Sequence, residues 1–257
     1  MTKQQNLFYS NPDLTATTTK IVAVRPHFFG VAIALEHNIV RASGGGEPRD
    51  LGTVDGMKIL HAEKQDGLTW TAHDADADRF AVGKTVDVVL DAEHREHRRR
   101  LHTATHLLIR CAYNHFSEFN VAVADIEDDA SSALIVARTD RPVRSEDISL
   151  VDRRMRSEVL NGRSVHAAKA KSVEHAESEY GALVRVSNRH AFRGRIRLIC
   201  INGLDANPCS GLHHPTTDIG PYKVVPEHLP EADPYTFAVR LKPTGAWMYW
   251  FGEGVGT

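Results

Sequence analysis

The sequence has few cysteines, no long hydrophobic run and almost no net charge. Its three cysteines, Cys111, Cys200 and Cys209, are too few and odd in number for a disulfide framework, so we expect a protein of a reducing cytosol. Apolar runs such as Val31–Leu35 are far shorter than the ~20 residues that span a bilayer, and the polar segment Met1–Ser10 lacks the apolar core of a signal peptide. We therefore predict a cytoplasmic protein without a membrane partner.

The charge balance limits the kinds of partner that the sequence predicts. The chain carries 31 Lys and Arg residues against 33 Asp and Glu residues, for a formal net charge of −2. This balance argues against broad, non-specific binding of nucleic acid, and DNA is not expected as a partner, although a local basic patch could still contact RNA. Histidine is the one residue type in excess, and most of the 15 histidines are expected to lie scattered over the surface.

The first ninety residues have the pattern of β structure. Lys20–Arg25 and Phe28–Leu35 are apolar and β-branched, and Thr85–Leu90 alternates between apolar and polar residues. Gly44, Gly45 and Gly46 fall between such segments and predict a loop or bulge. Short strands at this spacing predict a small barrel or meander.

The pattern changes at Asp91. Neither Pro nor Gly occurs between Asp91 and Phe116, so we expect a helix there, and Asp91 is a suitable N-cap for it. Ser145–Leu160 and Ser172–Tyr180 predict two further helices. The strands expected between and after the helices are Val121–Ala124, Ala133–Ala137, Arg195–Ile201 and Thr236–Leu241. The sequence therefore predicts an α+β fold, with a β-barrel-like domain over residues 1–90 and an α+β domain over residues 91–257.

Two pairs of metal-ligating residues stand out in the second region. His102 and His106 share one face of the predicted helix, with Cβ atoms about 5–6 Å apart. Cys209 and His213 repeat the same spacing, and Gly211 between them favours a loop. Chance alone gives roughly 0.9 pairs of the first kind and 0.2 of the second, so each is only suggestive. Three nitrogens and a thiolate suit tetrahedral zinc; the alternative, a buried cysteine with surface histidines, carries equal weight on spacing alone.

Other catalytic patterns are missing from the sequence. The segment HTATH lacks the glutamate of the HExxH zinc proteases. No GxSxG elbow, GxxxxGK phosphate loop or GxGxxG turn after a strand is present. These absences disfavour the corresponding hydrolase, nucleotide-binding and dinucleotide-binding classes.

Three segments together resemble one known family. RRRLHTATHLL at residues 98–108 resembles the RxxHTAxHLL helix of the AlaX-type alanyl-tRNA editing proteins. NPCSGLH at 207–213, followed by TTDIG at 216–220, resembles the family's CGGTH and TxxIG segments, and SGGGEPRDLG at 43–52 resembles its SGGGQPxDxG loop. The chain is also similar to the editing domains of alanyl- and threonyl-tRNA synthetases. The resemblance spans roughly residues 20–225, with the three segments in the family's order.

The resemblance implies an N-terminal β-barrel-like domain, a zinc-binding α+β editing domain and free-standing hydrolysis of the ester between a wrong amino acid and tRNA. It implies His102, His106, Cys209 and His213 as Zn²⁺ ligands. It also implies that the loop of Gly44, Gly45, Gly46 and Glu47 approaches the mischarged aminoacyl group at the acceptor end of tRNA. Glu47 replaces the family's usual Gln, and Ser210 and Leu212 replace Gly and Thr, which leaves the amino acid open.

Three residues are candidates for the chemistry beside the metal, each with an alternative. Glu47 could hold the substrate amine or be an exposed loop carboxylate. Thr105 could line the pocket or serve helix packing. His214 could be a proton shuttle or a further ligand, or only an exposed neighbour of one. Zinc could hold all four ligands as a closed structural site, or open a position for water if His213 or Cys209 detaches.

A set of arginines surrounds the predicted metal helix, and two interpretations remain open for it. The set consists of Arg95, Arg98, Arg99, Arg100 and Arg110. It could hold tRNA phosphates, or it could be a solvated helix face that pairs with Glu93 and Glu96.

The sequence predicts an aminoacyl-tRNA deacylase that acts in trans. Its substrate would be Ser or Gly on alanine tRNA, or a small non-standard amino acid such as a threonine analogue. The alternatives are a non-catalytic zinc module that binds tRNA or a synthetase, and a hydrolase of small esters or amides on the same fold.

Overall fold

The computed structural model describes residues 4–186, 192–229 and 233–244, and it combines α-helices with mostly antiparallel sheets. The chain divides into two compact units, unit 1 (Met1–His97) and unit 2 (Arg98–Thr257). Among the described helices, none is long and apolar enough to cross a membrane.

Unit 1 consists mainly of short β-strands, with two 3₁₀ turns at Leu7–Tyr9 and Ala77–Arg79. The strands are β1 (Gln5–Asn6), β2 (Ala16–His27), β3 (Gly30–Leu35), β4 (His37–Asn38), β5 (Gly52–Val54), β6 (Met57–Lys58), β7 (His61–Gln65), β8 (Leu68–His73) and β9 (Thr85–Leu90). Seven of them form one sheet in the order β6-β5-β9-β2-β3-β8-β7. The expectation of β structure in this region is therefore confirmed.

The long strand β2 joins the two halves of this sheet. Its first residues, Ala16–Lys20, pair with β9, and the rest pairs with β3 after an irregularity between Ile21 and Ala23. The sheet order begins at β6 and ends at β7, so the sheet is an open, curled half-barrel among the described strands. Alternating apolar residues of β9, such as Val86 and Val88, are buried and supply one side of the core of unit 1.

Helix α1 (Ala92–Tyr113) begins in unit 1 and continues into unit 2. Asp91 caps it as expected, because its carboxylate accepts the backbone N–H of His94 at 2.9 Å. Leu101, Leu108 and Ala112 of the helix are buried in the core of unit 2. The helix is buried on more than one face, since polar positions such as Thr103 are also buried.

The described part of unit 2 contains two further helices and seven strands. They are β10 (Phe119–Ile126), β11 (Ala133–Thr139), α2 (Ser145–Leu160), β12 (Val165–Ala170), α3 (Val173–Tyr180), β13 (Ile196–Ile201), β14 (Asp205–Pro208), β15 (Tyr222–Pro226) and β16 (Thr236–Pro243), with a 3₁₀ turn at Gly181–Leu183. The strands form two antiparallel sheets, β10-β11-β16-β15 and β12-β13-β14. The predicted mixture of helices and strands is confirmed here.

The caps of α2 and α3 differ in origin. Ser172 caps α3 by accepting the backbone N–H of His175 at 3.2 Å. In α2, Ser145 is the first helical residue, and Arg144 occupies the cap position without a side-chain cap of its own. The carboxylate of Asp147 instead accepts the backbone N–H of Arg144 at 2.8 Å and closes the first turn.

Strand β14 positions the second half of the predicted metal site. It pairs with β13 and ends at Pro208, directly before Cys209. The backbone N–H of Cys209 donates to the Arg197 carbonyl at 3.1 Å. The Arg197 guanidinium donates in return to the carbonyls of Cys209 at 2.7 Å and Gly211 at 2.9 Å, which fixes the path of this loop.

Candidate metal centre

Helix α1 and the loop after β14 bring the four predicted ligands into one group. The candidate ligand atoms of His102, His106, Cys209 and His213 all lie within 4.8 Å of one another. The Sγ atom of Cys209 is 3.6 Å from Nε2 of His102 and 3.4 Å from Nε2 of His213. Cys209 and His102, which are 107 positions apart in the sequence, therefore lie in the same group of side chains.

The two distances between Cys209 and a histidine fit a tetrahedral zinc ion. With Zn–N near 2.0–2.1 Å and Zn–S near 2.3 Å, tetrahedral geometry puts a nitrogen and a sulfur ligand about 3.6 Å apart. The two Cys209–histidine distances of 3.4 and 3.6 Å agree with that value. Imidazole and thiolate are also donors that zinc prefers, so the group could hold Zn²⁺.

Hydrogen bonds behind the histidines select which ring nitrogen faces the group. The Thr103 hydroxyl donates to the Arg99 carbonyl at 3.1 Å, so it accepts from Nδ1 of His213 at 3.2 Å and leaves Nε2 for a cation. On His106, Nδ1 lies 3.7 Å from a carboxylate oxygen of Asp205. Both contacts are of the kind that holds metal-ligating histidines in position.

The electrostatics of the group favour the protonation states that metal binding needs at two of its members. Burial alone raises the pKa of the Cys209 thiol, but the neighbouring imidazoles, His102 foremost, outweigh burial and hold that pKa well below its ordinary value. Burial and the adjacent His102 hold the pKa of His213 well below its usual range. These shifts favour the thiolate form of Cys209 and the neutral imidazole of His213, which are the forms that bind a metal ion.

His106 is shifted in the opposite direction. Burial lowers its pKa, but the Asp205 carboxylate and the Cys209 thiolate outweigh burial and raise the pKa of His106 to about 10. In the metal-free group the His106 imidazolium thus compensates the thiolate. A cation that binds here has to displace the His106 proton.

The other predicted catalytic residues of unit 2 lie beside the group and not in it. Thr105 is buried, and its hydroxyl donates to the Leu101 carbonyl at 2.9 Å, the contact that the helix-packing alternative expects. The ring of His214 turns toward Thr216, with Nδ1 2.9 Å from the Thr216 carbonyl. Catalytic roles for Thr105 and His214 stay predictions.

The glycine loop lies in unit 1 and is closed by its own backbone. Gly44 donates to the Glu47 carbonyl at 2.9 Å, and Gly45 and Gly46 have positive φ values of 67° and 75°, which a residue with a side chain rarely adopts. The Glu47 side chain is buried and pairs with Arg41 at 3.2 Å, so the alternative of an exposed loop carboxylate is wrong. Contact of the loop with substrate remains a prediction.

Both interpretations of the arginine set are wrong for four of its members. Arg95, Arg98, Arg99 and Arg110 are buried, whereas a phosphate patch or a solvated helix face needs exposed guanidinium groups. Arg95 donates to the Asp50 carboxylate and the Ile39 carbonyl, and Arg99 donates to the His213 carbonyl at 2.9 Å. The reason is that α1 is buried on more than one face, and a buried charge must find partners inside the protein.

Sequence reasoning did not identify Thr103 and Asp205. Thr103 contacts His213, and Asp205 contacts His106. The signal for Thr103 was its place between His102 and His106 in the segment HTATH. Asp205 precedes Cys209 by four residues on β14 and is 1% exposed. A buried carboxylate so near a cysteine ligand could have suggested a supporting role.

The comparisons with known proteins agree with the sequence resemblance. The chain is 26% identical over 226 residues to an alanine–tRNA ligase of Methanococcus vannielii, covering 87% of this chain and 24% of the ligase. It is 28% identical over 226 residues to the Methanobrevibacter smithii ligase, covering 85% and 25%. It is 30% identical over 105 residues to the alanyl-tRNA editing protein AlaX-M of Pyrococcus horikoshii, covering 40% and 46%. No family model matches the chain.

The fold and the site define a mixed α/β protein with a group of three histidines and one cysteine that could bind a metal ion. The resemblance to AlaX-type alanyl-tRNA editing proteins and alanine–tRNA ligases is confirmed by these relatives. The chain spans only about a quarter of the length of the ligases that it matches.

Proposed function

We propose that the protein is a zinc-dependent deacylase that hydrolyses the ester between a wrong amino acid and its tRNA, acting in trans. The observation that carries the proposal is the convergence of His102, His106, Cys209 and His213 in a chain similar to an alanyl-tRNA editing protein. In this proposal residues 91–257 form the editing domain, and residues 1–90 form the N-terminal domain that carries the glycine loop.

The chemistry demands little of the protein, because an aminoacyl ester is already activated. The protein has to place a water molecule against the carbonyl carbon and stabilise the developing oxyanion. When bound, zinc would either supply a Lewis acid that lowers the pKa of water toward ~7 or, with all four ligands retained, shape the pocket. The chain's own residues keep the donors in place: Thr103 holds His213, and Arg99 holds the His213 carbonyl.

The substrate is the acceptor end of a mischarged tRNA. We propose Ser or Gly on alanine tRNA, or a small non-standard amino acid such as a threonine analogue. Glu47 is the residue proposed to set this choice, because it replaces the usual Gln of the loop. Since Arg41 already pairs with Glu47, the carboxylate would act on the substrate through the shape of the loop, or by exchanging Arg41 for a substrate ammonium.

A deacylation panel tests the proposal. Purified protein is incubated with tRNAs charged with Ser, Gly, Ala, Thr and threonine analogues, and release of the amino acid is measured. We expect hydrolysis of at least one ester by the wild type and by the control Cys111→Ala, which removes a cysteine outside the metal group. The double variant Cys209→Ala, His213→Ala should lose activity by a factor on the order of 100 while its circular dichroism is unchanged.

Two outcomes would overturn the proposal. No hydrolysis of any charged tRNA, together with tight tRNA binding, would favour a non-catalytic zinc module. Hydrolysis of simple amino-acid esters as fast as of the tRNA esters would identify a small-molecule hydrolase.

A further inference from the structure

Asp205 is a buried carboxylate that lies directly behind a metal ligand. It is the first residue of β14, and its side chain is 1% exposed. Its Oδ2 atom is 3.7 Å from Nδ1 of His106, which leaves Nε2 as the ring nitrogen available to a cation. A carboxylate behind a metal-ligating histidine orients the ring and strengthens it as a donor.

The two oxygens of Asp205 have different surroundings. Oδ1 accepts from the amide of Asn207 at 2.7 Å and lies 3.8 Å from the guanidinium of Arg110. Oδ2 has no hydrogen-bond donor among the described residues. A buried acceptor without a donor costs about 1–3 kcal/mol, so folding alone gives no reason for this placement. The carboxylate is held through Oδ1 and offers Oδ2 to His106.

The charges around Asp205 also fit a bound cation. His102, His106 and Arg110 follow one another at four-residue spacing on α1, so they lie along one face of the helix. Arg110 is held by the Ala182 and Leu183 carbonyls at 3.3–3.4 Å, and Asp205 lies between it and His106. A divalent cation with three neutral imidazoles and one thiolate has a net charge of +1, which the Asp205 carboxylate offsets.

Two of the three histidines, His106 and His213, therefore differ as donors. Nδ1 of His213 contacts the neutral hydroxyl of Thr103, whereas Nδ1 of His106 faces a carboxylate. A hydroxyl fixes the orientation of a ring but adds little to its basicity, while a carboxylate does both. This asymmetry is built into α1 and β14 before any cation binds.

We propose that Asp205 is a positioning residue of the metal centre: it orients His106 and makes this imidazole a stronger nitrogen donor than His213. The inference rests on the proposed function only in requiring that the group binds zinc.

Metal affinity tests the inference without any use of the deacylation reaction. The variant Asp205→Asn keeps the shape and removes the charge, and zinc affinity is measured by competition with a chromophoric chelator. We expect affinity to fall roughly 10- to 100-fold. The control is Asp147→Asn, because Asp147 is also a buried carboxylate in contact with a histidine, His115 at 2.7 Å, outside the metal group. The control should bind zinc as the wild type does.

The visible spectrum of the Co²⁺-substituted protein provides the second measurement. If Asp205 acts through His106, the ligand-field bands shift in Asp205→Asn and not in Asp147→Asn. Wild-type affinity together with a wild-type spectrum in Asp205→Asn would overturn the inference.

A second variant covers the case in which Asp205→Asn does not fold. Asn207→Ala removes the amide that holds Oδ1 and leaves the charge in place. We expect a several-fold loss of zinc affinity, and an unchanged affinity would overturn the inference. If the wild type binds no zinc, the inference fails as well. Zinc binding that depends on Asp205 without ester hydrolysis would remove the proposed function alone.

Discussion

At the scale of single residues, a buried ion pair holds the glycine loop in its conformation. Arg41 and Glu47 have side chains that are 2% and 0% exposed, and their charged atoms are 3.2 Å apart. The Arg41 guanidinium also donates to the Gly44 carbonyl at 3.0 Å, and the Asp50 carboxylate accepts the Arg41 backbone N–H at 2.6 Å. The charge at position 47 is therefore part of how this loop holds its shape.

The variant Glu47→Gln restores the residue that the family loop usually has, and we expect it to destabilise this protein. An amide can still accept a hydrogen bond but leaves the buried Arg41 charge uncompensated, at a cost of roughly 1–3 kcal/mol. Urea unfolding at pH 7 measures the loss. Ser43→Ala, a change at an exposed position of the same loop, is the control and should change stability little. Equal stability of Glu47→Gln and wild type would show that the pair contributes nothing.

Thr103 and Thr105 make a matched pair for a second prediction. Thr103→Val removes the acceptor of His213 Nδ1 and of the His214 backbone N–H, which donates to it at 3.1 Å. We expect zinc affinity to fall at least several-fold and stability to fall by about 1–3 kcal/mol. Thr105→Val removes only a bond to the Leu101 carbonyl within the helix, so zinc affinity should be unchanged. Chelator competition and thermal unfolding measure both effects.

The same pair of variants also tests the predicted catalytic role of Thr105. Loss of deacylation in Thr105→Val, with zinc affinity and stability intact, would support that role. Full activity would leave helix packing as the function of the hydroxyl. If Thr103→Val bound zinc as tightly as the wild type, the contact to His213 would have no part in metal binding.

At the level of elements, local patterns predicted the strands and helices whose own sequence favours them. Thr85–Leu90 alternates and forms β9 with those bounds, and Ser145–Leu160 forms α2. Val165–Ala170 was not predicted, because three of its six residues are alanines, which have little preference for strands. Its strand conformation comes from pairing with β13, which no local pattern reveals.

The candidate metal centre shows the same contrast between local patterns, which the sequence displays, and contacts between distant segments, which it does not. His102 with His106, and Cys209 with His213, have a spacing that the sequence displays, so the four members of the group could be predicted. Asp205 contacts His106 across 99 residues of sequence, and its role depends on how β14 meets α1. Arg95 and Arg99 are buried because other segments of the chain cover α1 on more than one face. The pattern of charges along the helix does not reveal that cover.

The N-terminus of α2 gives a prediction at this scale. Hydrogen bonds from Arg141 foremost, and from His115 and the Arg144 backbone, outweigh burial and hold the pKa of Asp147 well below its usual range. A carboxyl whose pKa is lower in the folded protein stabilises it above the unfolded-state value of about 3.9, and this contribution is lost as the pH falls further. Asp147→Asn should cost roughly 1–3 kcal/mol at pH 7 and progressively less below about pH 4.

Chemical unfolding of wild type and variant between pH 2.5 and 7, in the presence of a chelator, measures this difference. Glu146→Gln is the control, since it removes an exposed charge from the same helical turn and should change stability by no more than about 0.5 kcal/mol. A cost of Asp147→Asn that stays constant across this pH range would contradict the assignment of its stabilising effect to the ionised carboxyl.

For the whole molecule, the division into two units determines where a metal would contribute stability. All four members of the metal group belong to unit 2, two on α1 and two on the loop after β14. The group connects helix α1 to the loop that follows β14 of the three-stranded sheet. A cation that binds the folded and not the unfolded chain stabilises it by RT ln(1 + [L]/Kd), about 4 kcal/mol at a thousandfold excess over Kd.

Removal of zinc should therefore loosen unit 2 and leave unit 1 unchanged. After addition of a chelator we expect faster amide hydrogen exchange in the second half of α1 and in residues 205–214, because the four donors lose the cation that joins the helix to the loop. Exchange in β2 and β3 of unit 1 should not change, and added zinc should restore protection in proportion to its concentration. In Cys209→Ala the chelator should have a much smaller effect, since one ligand is already missing. Faster exchange throughout both units would show that the metal supports the whole chain, and no change in residues 205–214 would show that the group holds no zinc in solution.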